Sequence, residues 1–393
     1  MGAWGEFRHM AMEQKRGRRQ CRRLDCVDVV QPPFLVHQGQ TYINFSSNDY
    51  LGLSQHPVLK EAAAASAWKL GVGAAASRLV TGNHHCHEEL EQELCQWKRA
   101  PAALVMGSGY QSNATLLSAL ASRSSCILLD RLAHQSLIQG ALASRAELQR
   151  FRHNDLDHLE HLLRSKRQLR TLVVVESLYS MDGDFAPLAD ILALCRLYGA
   201  LLYVDDAHGT GVYGDHGRGL CEVEGDDVLV CGTFSKAMGV YGSYLLCTPA
   251  WKDFFISHCA GLIYSTALPP PLIAAIRAGI RLIPQLDRQR EVLRKHCEEA
   301  GRLLRLERGR ASQILPFILG GSHEALRKQE ELRAEGYWVQ AIRPPTVAEG
   351  TARLRITLTS QHHPAQIAGL CEVLTKGGSR CTSTSSTAGA MPA

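Results

Sequence analysis

Six short apolar runs dominate the middle of the chain: Ala102–Met106, Cys126–Leu129, Thr171–Val175, Leu201–Val204, Val228–Cys231 and Ser243–Cys247. They are near-continuous rather than alternating with polar residues, which is the pattern of strands buried on both faces. Between them lie segments with helical spacing of apolar positions, for example Leu116–Ala121, Leu156–Leu163 and Leu188–Tyr198. This alternation predicts an α/β fold: a mostly parallel central sheet with helices on both faces. Binding residues in such sheets gather at the carboxyl ends of the strands. Glycine and polar residues do follow the runs, at Gly107-Ser108-Gly109-Tyr110, Asp130-Arg131, Glu176-Ser177, Asp205-Asp206 and Thr233.

Beyond about residue 284 the pattern changes. A charged helical stretch, Asp287–Leu306, leads to short strands near Gln313–Leu319, Trp338–Ile342 and Arg353–Leu358. This predicts a smaller α+β domain. The expected organisation is an N-terminal arm (1–47), a large domain (48–283), a small C-terminal domain (284–376) and a tail (377–393). The tail is rich in Ser, Thr, Gly and Ala and reads as disordered, because it lacks large apolar groups to pack. A chain of 393 residues suits one large domain and one smaller one.

Composition narrows the setting. No apolar stretch is long enough to span a bilayer, and the charged N-terminus lacks an apolar signal core, so a cytoplasmic protein without a membrane partner is expected. Met1-Gly2 begins like an acylation site, but Glu6 breaks that pattern. The 13 cysteines are scattered without C-x-x-C spacing and read as reduced thiols. Cys126, Cys195, Cys231 and Cys247 fall in apolar runs and act there as small core residues. Much of the +5 net charge sits in Lys15-Arg16-Gly17-Arg18-Arg19 and Arg22-Arg23. Such a run can meet an anionic ligand or simply face water, and no nucleic-acid partner is expected.

The chemistry concentrates in two stretches. One strand ends in Asp205-Asp206-Ala207-His208, and about thirty residues later comes Thr233-Phe234-Ser235-Lys236. A strand-end carboxylate, a histidine three residues on, and a lysine beside hydroxyls are what a pyridoxal phosphate (PLP) enzyme needs. The amine forms a Schiff base, the carboxylate keeps the pyridine nitrogen protonated, and hydroxyls bind phosphate oxygens. A lysine in a polar loop also reads as solvated. Against that, strands flank the loop, and Gly232, Ala237 and Gly239 leave room for a large ligand. Desolvation in a strand-end cleft would also lower the lysine pKa.

Three other motifs carry less. Gly209-Thr210-Gly211-Val212-Tyr213-Gly214 matches G-x-G-x-x-G, but Asp215–Gly219 opens no amphipathic helix, so a loop is expected. His84-His85-Cys86-His87 has no second half-site; it reads as a helix start, and no metal is expected. Ser235-Lys236 lacks S-x-x-K spacing, because Thr233 stands at the serine position.

Taken with the blocks Asn44-Phe45-Ser46-Ser47-Asn48-Asp49-Tyr50-Leu51-Gly52-Leu53, Glu176-Ser177-Leu178-Tyr179-Ser180-Met181-Asp182-Gly183-Asp184 and Ile263-Tyr264-Ser265-Thr266, the sequence resembles the α-oxoamine synthases over roughly residues 20–375. These are fold-type I PLP transferases that condense an amino acid with an acyl-CoA and release CO2. The blocks Ile342-Arg343-Pro344-Pro345-Thr346 and Gly350–Thr359 resemble the branch that joins L-alanine to a pimeloyl thioester in biotin biosynthesis. Glycine with a shorter acyl-CoA, as in glycine C-acetyltransferase, is the alternative within the family. A non-catalytic or NAD-binding α/β protein is the alternative outside it.

The resemblance implies a role for each matching position. Lys236 would carry PLP, Asp205 would pair with the pyridinium nitrogen, and His208 and Ser180 would bond the phenolic oxygen. His134 would stack on the ring, while Gly109, Tyr110 and Thr233 would hold the phosphate. Ser265 and Thr266 would reach the neighbouring subunit's phosphate, implying a homodimer with a shared active site. Arg355 would clamp the substrate carboxylate, and Arg22, Asn48, Arg343 and Thr346 would line the substrate and acyl-CoA entrance. Lys236, His134, Asp205 and His208 form the implied catalytic set. The sequence departs from the family at Ala74-Ala75-Ala76, where many relatives carry Gly or Ser, and at Val347-Ala348-Glu349, which lacks a common proline.

Overall fold

The computed structural model describes residues 2–17, 20–166, 169–306 and 311–376. The chain divides into two units. The larger holds residues 48–180 and 184–293; the smaller holds 1–47, 181–183 and the residues from 294 onward.

The larger unit is built on seven strands: β1 (Ala102–Met106), β2 (Ser125–Asp130), β3 (Glu147–Phe151), β4 (Arg170–Glu176), β5 (Leu201–Asp205), β6 (Val228–Thr233) and β7 (Ser243–Cys247). Their order in the sheet is β1-β7-β6-β5-β4-β2-β3. β7 is antiparallel to both of its neighbours, and every other pairing is parallel. Six strands coincide with the apolar runs, and every residue of β1, β2, β6 and β7 is buried. β3 was not expected. It is an edge strand paired only to β2, and Glu147 and Arg150 face solvent, so the apolar signal is missing.

Helix Gly109–Leu120 buries Leu116 and Leu117 against Leu104, Ile127 and Leu245 of the sheet. Helix Gln135–Ser144 lies beside it. A Cβ on Gly140 would stand 2.6 Å from the Asn113 carbonyl oxygen, so glycine lets the two helices approach closely. The histidine cluster is a helix start: His84 caps His85–Lys98, and His87 is buried with Nε2 3.0 Å from the Leu268 carbonyl. Only a three-residue 3-10 turn, Asp215–Gly217, follows the Gly209–Gly214 loop, so no helix N-terminus faces a dinucleotide there.

The described residues of the smaller unit form two sheets. Asp28–Gln31, Phe34–His37 and Gln40–Asn44 form an antiparallel meander, which Tyr337–Trp338 joins in parallel. Ile314–Gly320, Ala352–Thr357 and Gln340–Ile342 form an antiparallel sheet of three. The single strand expected at Trp338–Ile342 therefore breaks at Val339 and serves both sheets. The helix expected over Asp287–Leu306 ends at Leu303. The expected disordered tail lies outside the described residues. Among those described, no helix is long and apolar enough to cross a membrane.

Candidate active site

The site forms where β4, β5 and β6 end. Glu176 closes β4 and Asp205 closes β5, and the two are paired in register. Both are buried, at 2% and 7% exposure. Asp205 Oδ1 accepts the Ala207 N–H at 2.9 Å, and Oδ2 accepts Asn113 Nδ2–H at 2.6 Å. Asn113, on helix Gly109–Leu120, also donates to Ser136 Oγ at 2.9 Å and accepts the Tyr203 hydroxyl at 2.8 Å. Ser136 Oγ lies 2.7 Å from His134 Nδ1, which caps helix Gln135–Ser144 by accepting the Ser136 N–H. Asn113 thus links Asp205 to His134.

The adjacent Asp206 points to the other side of β5, as successive strand residues do. It accepts Ser177 Oγ–H at 2.7 Å and Thr210 Oγ1–H at 3.1 Å, and it faces the buried Lys98 amine at 3.9 Å. Burial pushes Lys98 down to about 8, against the opposing pull of Asp206. The two neighbouring aspartates therefore belong to separate networks.

Lys236 sits in the turn between β6 and β7. The Gly239 N–H bonds the Lys236 carbonyl at 2.9 Å, and Thr233 Oγ1–H bonds the Gly242 carbonyl at 2.8 Å. The Lys236 amine is 2.7 Å from His208 Nε2, and His208 Nδ1 is 2.6 Å from the Tyr50 hydroxyl. Tyr50 is fully buried and donates to Asn48 Oδ1 at 3.2 Å. Gly232 and Gly239 do not open space for a ligand, contrary to expectation. A Cβ on Gly232 would strike the Tyr244 ring, and one on Gly239 would stand 2.5 Å from the Ser54 nitrogen. The chain's own packing needs those glycines, and φ of +70° at Gly239 adds a backbone reason.

Electrostatics tie these groups together. Burial lowers the His134 pKa, Asp205 opposes that shift, and Lys236 reinforces it. Burial and then Asp205 raise Glu176 to about 8, opposed by Lys236 and by the backbone N–H groups of Ser180 and His134. Ser180 is buried, and its N–H donates to Glu176 Oε2 at 3.2 Å.

Gly109 opens its helix directly after β1, with Ser108 as cap. The Gly109 Cβ position is 3.6 Å from Thr233 Cβ, so the helix N-terminus and the Thr233 hydroxyl adjoin. Tyr110 follows and is half exposed. Ser265 and Thr266 line a small crevice with Gly107 and Gln111, and Thr266 bridges to Ser77.

Four expected substrate residues belong to the smaller unit. Arg22 donates to Thr346 Oγ1 at 2.7 Å across 324 residues of sequence, and Arg343 reaches the Cys21 carbonyl at 3.4 Å. Arg355 shares a strand face with Arg353 and Thr357. Arg353 is tied to Asp182 Oδ1 at 2.6 Å, while Arg355 donates to Thr357 Oγ1 at 3.0 Å.

Sequence reasoning missed Asn113, Ser136 and Tyr50 as site residues. A usable signal existed for Asn113, a polar residue one turn before Leu116-Leu117 on a core-facing helix. Tyr50 lay in a recognised block, but nothing in its spacing pointed to His208.

An amine, a buried carboxylate held by two N–H donors, an imidazole, and a helix N-terminus beside a hydroxyl are the donor set for an aldehyde, a basic ring nitrogen and a phosphate. Glu176 Oε1, buried and without a hydrogen-bond partner among the described residues, adds an unsatisfied polar atom at the same place. The residues fit PLP. Residues 40–374 match the aminotransferase class I and II model. The chain belongs to that family of PLP enzymes, and its relatives at about 42% identity are 8-amino-7-oxononanoate synthases. The Chromobacterium violaceum 8-amino-7-oxononanoate synthase is 42% identical over 363 residues, covering 91% of this chain and 94% of that protein. Serine palmitoyltransferase from S. paucimobilis, solved with PLP and myriocin, superposes with a TM-score of 0.87 at 29% identity, covering 95% of this chain and 98% of that one. The Francisella tularensis 8-amino-7-oxononanoate synthase gives 0.74 at 25% identity, covering 85% and 97%. The protein is a fold-type I transferase with PLP as its cofactor.

Proposed function

We propose that the enzyme condenses L-alanine with a pimeloyl thioester, from CoA or a carrier protein, to give 8-amino-7-oxononanoate, CO2 and the free thiol in biotin biosynthesis. A bond forms between the alanine Cα and the thioester carbonyl carbon. The C–S bond and the Cα–carboxylate bond break, and a proton returns to Cα. PLP supplies the electron sink for these steps. Lys236 Nζ removes the Cα proton and later delivers one, and its bond to His208 aims the amine. Asp205, held by Asn113 and Ala207, offers a fixed negative charge to the ring nitrogen. On the family resemblance, Gly109, Tyr110 and Thr233 would hold the phosphate, His134 the ring face, and Ser180 with His208 the phenolic oxygen. On the family resemblance, Arg355 takes the amino-acid carboxylate as a planar fork, and Arg22, Asn48, Arg343 and Thr346 receive the acyl donor.

The 2.7 Å pairing of the Lys236 amine with His208, beside the registered carboxyls of β4 and β5, is the observation that carries this reading. Two copies share the site in our reading, Ser265 and Thr266 serving the neighbour. The larger unit exposes Trp68 at 93% and Tyr264 at 84%, apolar surface that a partner would cover. We place the enzyme in the cytoplasm. Borohydride reduction followed by peptide mapping should find pyridoxyl on Lys236, and label elsewhere would overturn that role. Kinetics should favour alanine with pimeloyl-CoA over glycine with acetyl-CoA and over serine with palmitoyl-CoA; the reverse ranking would refute the substrate proposal.

A further inference from the structure

Two carboxyls close neighbouring parallel strands in register, Glu176 on β4 and Asp205 on β5, and both are buried. Registered neighbours on parallel strands share a sheet face, so the charge on either carboxylate opposes ionisation of the other. Their surroundings differ in which form they favour. Each Asp205 oxygen accepts a short N–H bond, from Asn113 at 2.6 Å and from Ala207 at 2.9 Å, which suits a carboxylate. Glu176 accepts a longer bond, 3.2 Å from the Ser180 N–H to Oε2, with the His134 N–H also facing the carboxyl, and among the described residues no hydrogen bond reaches Oε1. An ionised oxygen left unbonded in a buried site is costly, whereas a neutral acid loses far less.

We propose that Glu176 is a positioning residue that holds the shared proton, so that Asp205 alone is ionised toward the cofactor's ring nitrogen. The inference rests on Asp205 facing that nitrogen, as in the proposed function, and goes beyond it in giving the neighbouring glutamate a protonation state and a task. A second negative charge at Glu176 would pull on the Lys236 ammonium and compete with Asp205. The charged and titratable groups that face Glu176 are Asp205 on β5, Lys236 after β6, His134 before helix Gln135–Ser144, and Tyr179 beyond β4. His208 reaches it through Lys236. Burial and Asp205 push Glu176 up, in accord with the geometry.

The test is infrared difference spectroscopy on cofactor-free enzyme labelled with 13C-glutamate. This label leaves out Asp49 and Asp206, whose pKa values burial also raises. A protonated-carboxyl band should be present at neutral pH, disappear with a midpoint near 8, and be absent from Glu176→Gln. Melting temperatures give a second readout. The folded state holds this proton between the ordinary 4.5 and about 8, so wild type should lose stability relative to Glu176→Gln as pH rises through that window and level off above it. Absence of the band at neutral pH, or a parallel pH dependence of both proteins, overturns the proposal. Should Glu176→Gln fail to fold, titration of the wild-type band decides alone. The band needs neither alanine nor an acyl donor, so a failed substrate assay leaves this result standing, and the reverse also holds.

Discussion

The Lys236 amine stands 2.7 Å from His208 Nε2, and this one bond orders a chain of groups behind it. With Nε2 accepting from the amine, Nδ1 carries the ring hydrogen and donates to the Tyr50 oxygen at 2.6 Å; the Tyr50 hydrogen then goes to Asn48 at 3.2 Å. Tyr50→Phe should leave the fold intact and free the His208 ring to rotate. One net hydrogen bond, about 1 kcal/mol, corresponds to roughly a fivefold fall in kcat. Equal kcat in both proteins, with unchanged melting temperature, would remove Tyr50 from the site.

Asn113 bonds both Asp205 and Ser136. Asn113→Leu should weaken PLP binding about tenfold, since it removes a charge-assisted bond to Asp205. Absorbance titration of cofactor-free protein measures this. Asn113→Asp should be worse, because it sets another carboxylate beside Asp205. Unchanged affinity in both variants would show that Asp205 does not depend on this donor.

His153 supplies a pH prediction. Burial alone would push it down, but bonds to Asp130 at 3.0 Å and Asp184 at 2.8 Å outweigh burial and bring it up to about 10. A base whose folded value exceeds its unfolded one stabilises fully below the unfolded value. Stability from His153 should therefore be complete below about 6.5 and fall as pH rises toward 10. Denaturant unfolding across that window should show a shallower decline for His153→Gln than for wild type. Parallel declines would refute the bridge.

A shared site predicts complementation. Lys236→Ala and Thr266→Ala, each inactive alone, should regain part of the activity when mixed under exchange conditions, because one site per heterodimer is then whole. No recovery despite demonstrated subunit exchange would place Thr266 outside the neighbour's site.

The central sheet was legible because its strands are apolar on both faces, as in Val228–Cys231. β3 was not, because an edge strand with Glu147 and Arg150 exposed has a loop's composition. The hairpin strands before residue 45 are four or five residues long, too short to stand out. In the site, Lys236, Asp205 and His208 could be singled out because strand ends expose chemistry. The partners that orient them could not. Asn113 and Tyr50 meet Asp205 and His208 across 92 and 158 residues of sequence, a proximity that only folding creates.

The reaction proposed for the enzyme is a carbon–carbon condensation that expels the alanine carboxylate. The most direct measurement is incubation of the PLP-loaded enzyme with carboxyl-labelled L-alanine and pimeloyl-CoA, with mass spectrometry of the gas and the product. Labelled CO2 and 8-amino-7-oxononanoate should form in equal amounts, with no label in the product. Label retained in the product, or no C–C bonded product from alanine while glycine and acetyl-CoA react readily, would contradict it.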